Sequence, residues 1–145
     1  MRRQGQGYKG GHKGSQKGVM LIEALIGMLI FSIGILALMG MQAMAMRATI
    51  DAKYRSEASF LANEIIGQMW VDRANLANYA TANCGSTPVC AAWLARVQAL
   101  LPNATGGNAP TIEVSGQQVT VTVRWLRPGE TGASNHVAVA TINNS

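Results

Sequence analysis

The residues best placed to do chemistry fall into two small sets. Glu23 is a single carboxylate four residues past the Gly18–Val19 junction, where basic, glycine-rich chain (HKGSQKG) gives way to apolar chain (VMLIEA). A carboxylate there is costly in lipid unless a cation or donor meets it, so it enters an ion pair, complements the positive end of a helix dipole, or sits near the headgroups of a plain signal anchor. Cys84 and Cys90 bracket GSTPV. Two thiols at that spacing can close one short loop as a disulfide. A free thiol or a bond to another subunit is the alternative. The spacing is not CxxC, and no second ligand pair stands nearby, so redox catalysis and metal binding are the weaker readings. His12 and His136 each stand alone. The acidic residues form no paired-carboxylate motif, and Gly106–Gly107 reads as a turn rather than a phosphate loop. No catalytic set, cofactor site or metal site is expected.

The elements that position these residues follow from where charge and apolar residues fall. The 145-residue chain carries a formal charge of +5. Arg2, Arg3, Lys9, Lys13 and Lys17 precede every acidic residue, and from Val19 onward Lys/Arg and Asp/Glu balance. The net charge therefore belongs to a leader and not to a working surface, which argues against a nucleic-acid partner.

Residues 24–46 run without charge, with Ser32 and Gln42 as the strongly polar side chains. As a helix this run spans ~35 Å, enough to cross a hydrocarbon layer of ~30 Å. The basic leader would hold the N-terminus on the cytoplasmic side. Gly27, Gly34 and Gly40 are tolerated in membrane helices and permit close helix packing or local loss of helicity in an assembly. Met28, Met39, Met41, Met44 and Met46 are adaptable apolar packing residues.

Three readings of this N-terminus compete. It is an uncleaved signal anchor, a secretory signal cut after the Ala43-x-Ala45 pattern, or a precursor cut after Gly18. The run is longer than an ordinary signal core, which counts against the second. The stretch KGVMLIEALIGMLIFSIGILALMG resembles the class III signal and N-terminal helix of type IV pilins and related pseudopilins. Lys17–Gly18 before the junction, VMLI after it, and Glu23 as fifth mature residue carry the resemblance, which covers residues 17–42. It implies cleavage by prepilin peptidase between Gly18 and Val19 and N-methylation of the new Val19 amine. It also implies that Glu23 pairs with the terminal amine of a neighbouring subunit. Val19 departs from the frequent phenylalanine of the family but keeps its apolar character.

Residues 47–73 predict an amphipathic continuation of the helix, with Ile50, Tyr54, Ala58, Leu61, Ile65, Met69 and Asp72 on one face and Phe60 and Trp70 widening it. Asp51–Arg55 and Lys53–Glu57 are i,i+4 pairs of small energetic weight. Gly67 is a candidate local break. Residues 91–101 predict a short helix with Trp93, Leu94, Val97, Leu100 and Leu101 on its apolar stripe. Ile112 and Val114 open a strand, and Ser115–Gly116–Gln117 turns it. Val119, Val121, Val123 and Trp125 alternate cleanly with Thr120, Thr122 and Arg124. A turn at Arg127–Glu130 leads to a third strand with Val137, Val139 and Thr141 on one side.

The expected fold is α+β, a pilin-like long N-terminal helix packed against a small antiparallel β-sheet domain. The expected segments are a leader (1–18), a transmembrane and filament-core helix (19–46), its amphipathic continuation (47–73) and a periplasmic or extracellular domain (74–145). The resemblance implies a noncatalytic minor pilin acting in pilus assembly, with effects on adhesion and twitching motility. Its implied partners are prepilin peptidase, major and minor pilins and the inner-membrane assembly machinery, with no clear nucleic-acid or small-molecule partner. A minor pseudopilin of a type II secretion system is the nearest alternative, and a conventionally secreted binding protein the next. A membrane-anchored enzyme lacks an active-site constellation.

Overall fold

A computed structural model describes residues 16–143. Most of the expected leader lies outside the described residues, as does His12. Helix α1 runs from Gln16 to Val71. It contains no proline and is rich in Ala, Leu, Ile and Met, so nothing in its sequence interrupts the backbone ladder. Gly67 does not break it. The break comes at Asp72, whose φ/ψ of −108°/47° leaves the helical region. A 3-10 segment (Arg73–Tyr79), α2 (Thr81–Cys84) and α3 (Pro88–Leu100) follow, then a 3-10 turn (Gly106–Asn108). Pro88 sits in the first turn of α3, where its missing N–H costs nothing.

The chain divides into two compact units between Arg47 and Ala48. In the first, every described side chain from Gly18 to Arg47 is exposed, apolar residues included. This part of α1 holds an 18-residue window with a mean hydropathy of 2.5, long and apolar enough to cross a membrane. Ser32 donates its hydroxyl to the Met28 carbonyl (2.7 Å), so the polar group is satisfied inside the helix.

In the second unit the remainder of α1 packs with α3 and a three-stranded antiparallel sheet, order β1 (Thr111–Ser115), β2 (Gln118–Trp125), β3 (Ser134–Thr141). Ala58, Leu61, Ala62, Ile65, Ile66 and Met69 of α1 share one core with Trp93, Val97, Ile112, Val119, Val121, Val123 and Trp125. Phe60 and Trp70 are 64% and 43% exposed, so they do not widen the buried stripe as expected. Each lies one residue, about 100° of helix rotation, from a fully buried neighbour. Leu100 is likewise exposed, and Leu101, just past the end of α3, takes the buried place.

The β1–β2 turn has two residues between the paired Ser115 and Gln118. Gly116 takes φ +59°, the left-handed value that glycine accepts without strain. β2 is the central strand, and its inward residues are fully buried. The register pairs Val119, Val121 and Val123 with Ala140, Ala138 and His136. The side of β3 carrying Val137, Val139 and Thr141 therefore faces solvent, away from the core.

Candidate functional site

The predicted assembly residues lie on α1. Gly18 and Val19 are helical and exposed. Glu23 is exposed too, and no hydrogen bond or ion pair meets it among the described residues. The i,i+4 spacing stacks Val19 and Glu23 on one face, roughly 6 Å apart. Around this carboxylate Met20, Leu21, Ile22, Leu25 and Ile26 are all more than half exposed. A Cβ added at Gly27, Gly34 or Gly40 would meet nothing within 4 Å, so no packing inside the chain requires glycine there.

Cys84, at the end of α2, is bonded to Cys90, in the first turn of α3, with a Cα–Cα distance of 5.0 Å. Both sulfurs are buried, and the bond uses every cysteine in the chain. Hydrogen bonds close the hairpin around it. Thr87 donates its hydroxyl to the Asn78 carbonyl (3.0 Å), and Asn83 Nδ2 donates to the Ala77 carbonyl (2.9 Å). The hairpin fixes α3, and α3 is fastened to α1: Trp93 Nε1 donates to the Leu61 carbonyl (2.8 Å), while Arg96 pairs with Glu64.

Asp72 organises the chain after α1. It accepts from Asn75 Nδ2 (2.7 Å) on one oxygen and from the Tyr79 hydroxyl (3.2 Å) on the other. Burial of the Tyr79 ring pushes its hydroxyl pKa up, and the Asp72 charge and hydrogen bond push the same way. Arg127 reaches Asp51 (3.7 Å) and Glu130 (3.4 Å), holding the β2–β3 connection to α1. These groups fasten elements together, and Glu64, Trp93 and Arg96 also line an open pocket of about 270 Å³ between α1 and α3. Among the described residues no three His, Cys, Asp or Glu side chains cluster as a metal site.

One arrangement was not read from the sequence. The Thr81 hydroxyl accepts from the Ile112 N–H (2.7 Å) and donates to the Ile112 carbonyl (3.0 Å). A single side chain thereby imitates a neighbouring strand at Ile112 on the outer edge of β1. Thr81 and Ile112 are 31 residues apart, and no periodicity marks such a pair. Thr81→Val keeps the shape and removes both bonds. It is expected to lower stability by about 1–3 kcal/mol, because the Ile112 groups lose their partner in a half-buried place. Urea unfolding measures the loss, and faster hydrogen exchange at the Ile112 amide locates it.

The long N-terminal helix with a small three-stranded antiparallel sheet is a pilin-like architecture. No protein family, curated protein or solved structure matches the chain.

Proposed function

We propose that the chain is a noncatalytic minor type IV pilin, most similar to the minor pilin PilV, a pilus modification protein. The observation that carries the reading is Glu23, unpaired among the described residues, on an exposed apolar helix four residues past a Gly–Val junction. Prepilin peptidase would cut Gly18–Val19 and leave a positive, N-methylated Val19 amine. The remaining chain is then balanced in side-chain charge, and its first turn holds one cation with one anion an α-turn away.

Before assembly the protein sits in the inner membrane as a single-pass subunit, its C-terminal domain in the periplasm. There the oxidising compartment suits the Cys84–Cys90 bond. On assembly, major and minor pilins pack their α1 helices together, and the exposed apolar surface of residues 19–46 leaves lipid for a filament core. The inner-membrane assembly machinery drives that transfer. Pilus assembly is the direct contribution, with adhesion and twitching motility downstream of it.

Intact and N-terminal peptide mass spectrometry on native membranes and on sheared surface filaments tests the reading. The expected result is a mature start at Val19 carrying a methyl group, with the protein in the sheared fraction. A start at Met46 would mean conventional secretion, and a retained Met1 an ordinary anchor; either overturns the proposal. Val19-processed protein that co-purifies with secretion pseudopilins, and not with pilus subunits, would reassign it to a type II secretion system.

A further inference from the structure

Residues 18–47 carry two charged side chains, Glu23 and Arg47. The proposed function uses the first and leaves the second without a task. Arg47 is exposed, and no hydrogen bond or ion pair meets it among the described residues. It differs in this from every later Lys and Arg. Lys53, Arg55, Arg96 and Arg127 face carboxylates. Arg73 and Arg124 donate to the carbonyls of Asn143 and Ala109. Asp51 is the first carboxylate after Arg47, and it is already shared by Arg55 (3.1 Å) and Arg127 (3.7 Å).

The position of Arg47 along α1 fixes its surroundings. It is the first charge after the uncharged run of residues 24–46, which is apolar enough to cross a membrane. The helix from Val19 to Arg47 is about 42 Å long. A bilayer with its headgroups is ~40–45 Å thick. With Val19 at the inner headgroups, Arg47 stands at the outer ones. Helix side chains tilt toward the N-terminus, so the arginine stem lies back over apolar chain and the guanidinium stays in the phosphate layer.

We infer that Arg47 binds the phosphodiester group of a lipid in the outer leaflet and thereby holds α1 at one depth before assembly. The inference rests on the membrane-spanning part of the function proposed above. The guanidinium suits this ligand, because its planar fork aims two parallel N–H donors at two phosphate oxygens. A subunit not yet assembled meets lipid phosphates at that height, whereas residues 24–46 of another copy offer no carboxylate. A lipid without an ammonium of its own, such as phosphatidylglycerol, leaves its phosphate free and is the preferred ligand. The run of residues 24–46 is longer than the hydrocarbon layer, so without this anchor α1 tilts and Met46 sinks. The same contact must break when α1 leaves lipid for a filament core.

The test uses the full-length chain, with isotope-labelled arginine, in phosphatidylglycerol nanodiscs. Solid-state NMR reads how far lipid phosphorus dephases the guanidinium signal that Arg47→Lys removes. The expected result is strong dephasing, with phosphorus ~4 Å from the guanidinium nitrogens. In maltoside micelles, which hold no phosphorus, millimolar inorganic phosphate should leave that signal in place. Arg47→Gln should still insert, with the amides of residues 24–46 as slow to exchange as in the natural chain. Its Met46 methyl signal should be broadened less by a headgroup-bound nitroxide, and Arg47→Lys should restore the broadening. Slow amides at residues 24–46 with no dephasing at Arg47 overturn this inference and leave the proposed function standing. Fast amides there overturn both. An equal response to inorganic phosphate in micelles overturns the lipid assignment, as does a partner gained only when another subunit's carboxylate is supplied. Unchanged Met46 broadening in Arg47→Gln overturns the depth-holding role.

Discussion

Glu23→Gln in the full chain is expected to insert into the membrane and be cut at Gly18–Val19 like the natural protein, yet to be depleted from sheared filaments by about a hundredfold. The size of the loss separates two roles for the carboxylate. At the start of α1 a negative charge complements the positive end of the helix dipole, an effect of 0.3–1 kcal/mol. Losing only that would change incorporation by no more than about fivefold. A buried pair between Glu23 and a neighbour's terminal amine behaves differently. Removing one partner leaves a charge unmatched in a low-dielectric core, at a cost of about 3–5 kcal/mol. At the lower end of that range the penalty is already about a hundredfold in an equilibrium. Quantitative blotting of membrane and sheared fractions measures the ratio, and N-terminal mass spectrometry confirms equal processing. Incorporation within fivefold of the natural chain would leave Glu23 as a helix-end charge and remove the assembly role proposed for it.

The elements that were legible in the sequence are those whose signal is local. The uncharged run of residues 24–46 and the alternation of β2 each depend only on near neighbours along the chain. The face of β3 depends on a distant strand. Its two sides read Val137, Val139 and His136, Ala138, Ala140, and both contain apolar residues. Pairing with the buried Val119, Val121 and Val123 selects the alanine side as inward, and a shift of one residue would reverse the choice. Phe60 and Trp70 misled for a related reason. Large aromatic residues on a helix suggest core, but the 3.6-residue period gives the buried stripe to Leu61 and Met69 beside them. At the candidate site, the Gly18–Val19–Glu23 spacing is visible because it is contiguous. Thr81–Ile112 and Trp93–Leu61 are hydrogen bonds between elements more than thirty residues apart, and they exist only once the fold has formed.

The disulfide joins these levels, and its removal should have the largest effect on the domain. Cys84→Ala with Cys90→Ala is expected to cost about 2–4 kcal/mol, read as a lower urea midpoint. About 2 kcal/mol of this is the freedom returned to the unfolded chain when a loop with a sequence separation of 6 is opened. The rest comes from the two buried sulfurs, since Cys84 is 5% and Cys90 0% exposed and alanine leaves part of that space empty. A domain of this size has a total stability of only about 5–15 kcal/mol, so the change is a large share. The damage should also be directional. Cys90 lies three residues before Trp93, whose indole N–H holds the Leu61 carbonyl, so loosening the hairpin should first free α3 from α1. Hydrogen exchange in α3 should rise more than exchange in β2, where Val119, Val121 and Val123 keep their contacts. Treatment of the natural chain with a dithiol reductant gives an independent reading. Because both sulfurs are covered, reduction should wait for α3 to open, and its rate should climb with urea well below the global unfolding midpoint. Fast reduction in the absence of denaturant, with no loss of stability, would mean that the bond ties down nothing and that α3 is held by Trp93, Val97 and the Glu64–Arg96 pair alone.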